Sequence, residues 1–133
     1  MEAPLLEPFF LVVEDDATIR RAIGRAVGGV LDARFATTGL EALEALRGPL
    51  PRFVLLDFVL PDMDGLQVLR RLRADPRSRG LPVVIFSSLR DERRRQQTLA
   101  AGADAWMPKP DHPTELRKTV QALCAQWGRL QPT

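Results

Sequence analysis

Five short apolar runs, each followed by a stretch of helical character, constrain this chain more than any other feature of its sequence. Continuous apolar residues occupy positions 9–13, 53–56 and 83–86, with shorter candidates at 33–36 and 105–107. A strand that is apolar on both faces belongs inside a sheet covered on both sides. Between the runs, apolar residues recur at helical spacing: Ile19, Ala22, Ile23, Ala26 and Val27; Leu40, Leu43 and Leu46; Leu66, Leu69 and Leu72; Leu116, Val120, Leu123 and Trp127. A further helix, expected over residues 90–101, has few large apolar residues and reads as a loosely held element. Strand and helix thus alternate five times, and right-handed crossovers distribute the helices over both faces of one sheet. The expected fold class is α/β, a doubly wound five-stranded parallel sheet with five helices.

Local punctuation agrees with this division. Thr38 with Glu41 reads as a capping box, Gly102 can end the fourth helix, and Pro113 suits the first turn of the fifth. The 133 residues are read as one domain, 1–133, with a core over about 8–128, short tails and no room for a second domain. A chain that is 45% hydrophobic and 27% charged is not disordered. No apolar run approaches the roughly 20 residues that span a bilayer, and the start lacks the pattern of a signal peptide. The expectation is therefore a cytoplasmic protein without a membrane partner. Cys124, the single cysteine, can form neither an intrachain disulfide nor a zinc cluster and is read as a small apolar residue on a helix face. The formal charge of +2 is too mild to indicate nucleic acid. The basic run from Arg90 to Arg95 includes Asp91 and Glu92 and reads as the solvated face of a helix. His112 is solitary and is read as a residue at the start of the last helix.

Ligands of an open parallel sheet bind beyond the carboxyl ends of its strands. Glu14, Asp15 and Asp16 follow the first apolar run directly, and Asp57 follows the run at 53–56. Asp16 is best read as the cap of the first helix. Glu14, Asp15 and Asp57, brought together by two adjacent strands, would repel one another unless a counter-ion intervened. A hard cation such as Mg2+, which accepts few carboxylates plus water and phosphate, is the usual remedy. Ser87 and Ser88 follow the fourth strand, where a hydroxyl can bond a phosphoryl oxygen. Lys109 follows the fifth, where an ammonium can neutralise one. Either signal alone is ordinary loop chemistry, and their placement at successive strand ends gives them weight.

Four segments, in order, resemble the receiver domains of bacterial two-component response regulators. They are Phe9-Phe10-Leu11-Val12-Val13-Glu14-Asp15-Asp16, Leu55-Leu56-Asp57-Phe58-Val59-Leu60-Pro61-Asp62-Met63-Asp64-Gly65, Val84-Ile85-Phe86-Ser87-Ser88 and Gly102-Ala103-Asp104-Ala105-Trp106-Met107-Pro108-Lys109-Pro110. In length and motif spacing the chain is most similar to the stand-alone chemotaxis type. The resemblance implies a flavodoxin-like strand order of 2-1-3-4-5 and a phosphoryl group carried on Asp57. It implies that Asp15 and Asp57 ligate Mg2+ or Mn2+ directly, that Glu14 assists through a water, and that Val59 adds its backbone carbonyl. Ser87 takes the place of the family's hydroxyl and Lys109 that of its phosphate-contacting lysine, with Lys109-Pro110 a cis peptide. The phosphoryl donor is a histidine kinase or phosphotransfer protein. Ser87 and Trp106, the latter where the family usually has Tyr or Phe, form the switch. They act on a downstream protein of unknown identity through the face of the fourth helix, fifth strand and fifth helix, a face through which receivers also dimerise on phosphorylation. Such a domain catalyses its own charging and discharge and is not a turnover enzyme.

Three other functions are compatible with parts of the pattern. A haloacid-dehalogenase-type phosphatase needs a second Asp two residues after its nucleophile, where this chain has Val59. A degenerate receiver used purely for protein binding would have no need of the retained acids, hydroxyl and lysine. A DNA-binding role would rest on Arg90, Arg93, Arg94 and Arg95 without a helix-turn-helix.

Overall fold

The computed structural model describes residues 8–27 and 31–128. The tails expected at 1–8 and 130–133 lie outside these residues, apart from Pro8. The elements alternate as β1 (Phe9–Val13), α1 (Ala17–Ala26), β2 (Asp32–Ala36), α2 (Gly39–Ala45), β3 (Val54–Asp57), α3 (Gly65–Ala74), β4 (Val83–Ser87), α4 (Glu92–Ala100), β5 (Ala105–Pro108) and α5 (Pro113–Trp127). All pairings are parallel and the strand order is β2-β1-β3-β4-β5. The expected class and order are both observed.

Period-two alternation along the strands splits the core into two layers. Phe10 and Val12 of β1 and Leu55 of β3 face Ile23 of α1 and Leu116, Val120 and Leu123 of α5. Leu11, Val13 and Leu56 face Ala42 and Leu46 of α2 and Leu66, Leu69 and Leu72 of α3. β1, β3 and β4 are buried at every position, as their unbroken apolar runs require.

The helix boundaries follow from side-chain caps. Asp16 accepts the amides of Thr18 and Ile19, as anticipated. Thr38 accepts the amide of Glu41, but the Glu41 carboxylate bonds the Thr37 hydroxyl, so only half of the expected capping box forms. The reciprocal box occurs instead at α3, between Asp64 and Gln67. Pro113 opens α5, and His112 precedes it without a side-chain cap. Gly102, just past α4, has φ of 112°, a conformation L side chains rarely adopt, so the chain can turn sharply into β5.

α4 buries only Thr98 and is secured mainly at its C-terminal end. Arg73, on α3, donates Nε and Nη2 to the Gly102 carbonyl at 3.1 and 2.8 Å, Nη1 to the Leu81 carbonyl at 2.8 Å, and Nη2 to Asp104 at 3.2 Å. Asp104 also accepts the amide of Val83. One guanidinium thereby ties the ends of α3 and α4 to the starts of β4 and β5. Replacing it strands partly buried carbonyls, so Arg73→Met should cost about 2–3 kcal/mol, against less than about 0.5 for the exposed Arg70→Met. Urea denaturation of both variants measures the difference.

Candidate functional site

β1 and β3 are adjacent, with Val13 opposite Leu56, so their carboxyl ends open at the same level. Asp57 is the last residue of β3 rather than a residue beyond it, and is 5% exposed. Glu14, 1% exposed, follows β1, with Asp15 exposed beside it. One carboxylate oxygen from each of Glu14, Asp15 and Asp57 falls within 4.8 Å of the others. β4 brings Ser87 to the same rim, and β5 delivers Lys109 across it. Lys109 Nζ lies 2.9 Å from both Glu14 Oε2 and Asp57 Oδ2. The resulting cleft, about 570 Å³, is lined by Asp15, Asp57, Val59, Ser87, Ser88 and Lys109 among others.

Two of the three carboxylates, Glu14 and Asp57, share one ammonium. Glu14 is pushed up from its ordinary 4.5 to about 7, chiefly by burial and also by repulsion from Asp57, against the opposing pull of Lys109. Lys109 is raised above its ordinary value because its hydrogen bonds and charge contacts with Asp57 and Glu14 outweigh its own burial. Glu14 Oε2 is buried, with ionic contact to Lys109 but no hydrogen bond. An acidic cluster of three carboxylates with one ammonium among them, and so with incomplete charge compensation, fits a hard divalent cation.

The remaining groups set the shape of the cleft. Asp57 Oδ1 accepts the amide of Val59 at 3.2 Å, curling the loop after β3 around the carboxylate. Ser87 is buried, and its hydroxyl accepts the amide of Leu89. Val59 is 58% exposed at the rim. The Lys109-Pro110 peptide is trans, as are all peptides among the described residues, which corrects the expected cis bond. The lysine needs no such bond here, because its long side chain already reaches both acids. Trp106 is half-buried on the opposite side of β5 from α5 and stacks obliquely on Phe58, with ring centroids 5.3 Å apart. Phe58, not singled out in the sequence, follows Asp57 directly and also lies under the Arg94 guanidinium of α4. Arg20 was likewise not singled out; it donates to the Glu14 carbonyl and fixes the turn after β1. Arg94 and Arg95 pair with Asp91 and Glu92, consistent with a solvated helix face. Burial pushes the Cys124 thiol up to about 11, leaving it protonated and unreactive.

The family model for the response regulator receiver domain matches residues 10–121. The chain is a response regulator receiver domain. It is 33% identical to the response regulator Rre1 of Synechocystis over 92% of this chain and 54% of that protein. The chain spans about half the length of the curated relatives it matches first. Among solved structures, the phosphorylated cyanobacterial phytochrome response regulator RcpA has a TM-score of 0.87 at 25% identity, with 95% of this chain and 99% of that one covered. The Mn2+-bound response regulator Rcp1 shares the fold, with a TM-score of 0.85 at 23% identity over 96% of this chain and all of that one. Receiver domains belong to two-component systems, and are not turnover enzymes in the usual sense. No helix among the described residues of this receiver is long and apolar enough to cross a membrane.

The raised Glu14 value makes the metal-free receiver sensitive to pH. The folded state holds this proton more tightly than the unfolded chain, so the associated stability is complete below pH 4.5 and is lost as pH rises through about 7. Lys109, raised, keeps its contribution throughout that window. In chelator, the stability of the native protein relative to Glu14→Gln should therefore fall between about pH 4.5 and 7.5. Urea titrations at several pH values check this.

Proposed function

We propose that this receiver accepts a phosphoryl group on Asp57 from the phosphohistidine of a histidine kinase or phosphotransfer protein, in a reaction that depends on Mg2+ or Mn2+. The observation that carries the reading is the meeting of Glu14, Asp15, Asp57 and Lys109 in one cleft at the ends of three strands. Glu14, Asp15, Asp57 and the Val59 carbonyl would hold the cation. When bound, it neutralises the acids and draws charge from the phosphoryl oxygens. The Asp57 carboxylate attacks phosphorus, the P–O bond forms as the P–N bond to the donor histidine breaks, and the freed imidazole leaves with the partner. Lys109 supplies positive charge to the transferring group, and the Ser87 hydroxyl donates to one of its oxygens. Hydrolysis of the acyl phosphate then restores the carboxylate.

The switch runs through Ser87 and Trp106. Drawing the Ser87 hydroxyl toward the phosphoryl group releases its bond to the Leu89 amide and loosens the turn into α4. Trp106, Leu89 and Pro108 line a surface pocket of about 410 Å³ under the N-terminal end of α4, so movement there reshapes the α4, β5 and α5 face offered to a downstream protein or to a second receiver. The Phe58 ring, in contact with Trp106 and Arg94, links that face to the phosphoacceptor. A cytoplasmic location, with no membrane or direct nucleic-acid partner, suits this role.

Intact mass after incubation with acetyl phosphate should show one labile phosphoryl adduct that requires Mg2+ and is absent from Asp57→Asn. No adduct at any Mg2+ concentration would point instead to a phosphorylation-independent binding module. Val59 presents an apolar side chain to the cleft, and Leu89, two residues after Ser87, is apolar as well, so neither position offers a polar group to orient attacking water. Decay of the adduct should be slow, and Val59→Asn with Leu89→Glu should speed it by roughly tenfold, equivalent to about 1.4 kcal/mol of barrier. Equal decay in native and doubly substituted protein would refute this.

A further inference from the structure

We propose that Asp62 is a positioning residue that ties the phosphoacceptor loop to the first turn of α2, and that this tie tightens divalent cation binding in the acidic cleft. The second clause rests on the cation site proposed above.

The loop from Phe58 to Asp64 is closed at its base. The Gly65 amide donates to the Phe58 carbonyl at 2.7 Å, Val59 bridges to Asp64, and Asp64 caps α3. None of these bonds holds the tip. Asp62 does so with both carboxylate oxygens, Oδ1 accepting the Gly39 amide at 2.8 Å and Oδ2 the Leu40 amide at 2.9 Å. These are the first two amides of α2, which have no partner within the helix. Thr38 takes the third amide through its side chain and the fourth through its carbonyl. The cap of α2 is thus shared between its own N-cap and a residue 22 or 23 positions away. Negative charge at a helix N-terminus is favourable, and these two bonds hold the Asp62 carboxyl below its ordinary value.

Packing supports the same tie. A Cβ at Gly39 would run into Cγ and Sδ of Met63, so the tip of the loop lies flat against the start of α2 only because position 39 lacks a side chain. Asp62 is not a member of the acidic cluster of Glu14, Asp15 and Asp57. It acts on the cleft through the loop, three residues downstream of Val59, whose amide bonds Asp57 and whose carbonyl completes the proposed cation site. A loop held at the base and the tip spends less of its time away from the geometry that the cation needs.

Asp62→Ala and Thr38→Ala each remove an acceptor from the start of α2, and only the former releases the loop. In metal-free protein, amide exchange at Val59 and Leu60 should quicken about tenfold in Asp62→Ala and stay near the native rate in Thr38→Ala. The Mn2+ dissociation constant, from water-proton relaxation, should rise about tenfold in Asp62→Ala and less than about twofold in Thr38→Ala. Native exchange rates in Asp62→Ala would overturn the tie. Quickened exchange with native Mn2+ affinity, or an equal loss of affinity in Thr38→Ala, would overturn its link to the cleft. Failure of the native protein to bind Mn2+ would refute the cation site and with it that link, while the exchange experiment still decides the tie.

Discussion

Repulsion among carboxylates gathered at the ends of two adjacent parallel strands is the constraint on which this structure turns. Parallel pairing of β1 and β3 places Glu14 and Asp57, both buried, side by side at the floor of the cleft, where charge is less well screened than at the surface. Lys109 relieves part of that repulsion by lying 2.9 Å from each. It does so from β5, two strands away from β3, so the ion pairs span half the sheet. One ammonium does not balance three acids, and Glu14 is pushed up to about 7, chiefly by its burial and further by repulsion from Asp57. The same imbalance is what the proposed function draws on: a cation would complete the neutralisation, and a phosphoryl group would bring acceptor oxygens for the lysine and the serine.

The rest of the fold divides by how firmly each helix is packed against the sheet. α1 and α5 pack together over one face of the sheet and bury a full apolar stripe. α2 and α3 do so over the other, tied to the cleft by the loop after β3. α4 is different: its sequence from Glu92 to Ala100 offers Thr98 alone to the interior, and Arg73 fastens it beyond its C-terminal end. The N-terminal end of α4 lies beside Trp106 and the turn after Ser87, where Asp91 caps the helix and Arg94 sits over Phe58. Under the proposed function, a helix with so little buried surface would convert a small shift at the strand ends into a change of surface, because packed interiors move between discrete arrangements rather than deform smoothly.

Much of the architecture was legible because each level of the sequence repeats the same message. Apolar runs at β1, β3 and β4 and apolar stripes on α1, α3 and α5 give the same alternation, and the caps at Asp16, Thr38 and Pro113 punctuate it. β2 and β5 were harder to see because they lie at the sheet edges, half exposed, and Arg34 and Pro108 interrupt their apolar character. Within the site, Glu14, Asp15, Asp57, Ser87 and Lys109 were legible because each stands directly at a strand end. Phe58, Arg20, Arg73 and Asp62 were not. Their roles depend on partners in other elements, which no local spacing encodes.

The order of residues along the chain determined the fold class, the strand ends and the inventory of groups available for chemistry, since periodicity and capping act over a few neighbouring residues. Tertiary structure decided how those groups are used. Register brought carboxylates from two strands within 4.8 Å of one another, and a lysine 52 residues beyond Asp57 was set between Asp57 and Glu14. Asp62 was turned away from the acids onto the amides of α2, and the Lys109-Pro110 bond stayed trans because the lysine already reached its partners. Each of these outcomes is a balance of charge, burial and hydrogen bonding between segments distant in sequence, and that balance exists only once the sheet has assembled.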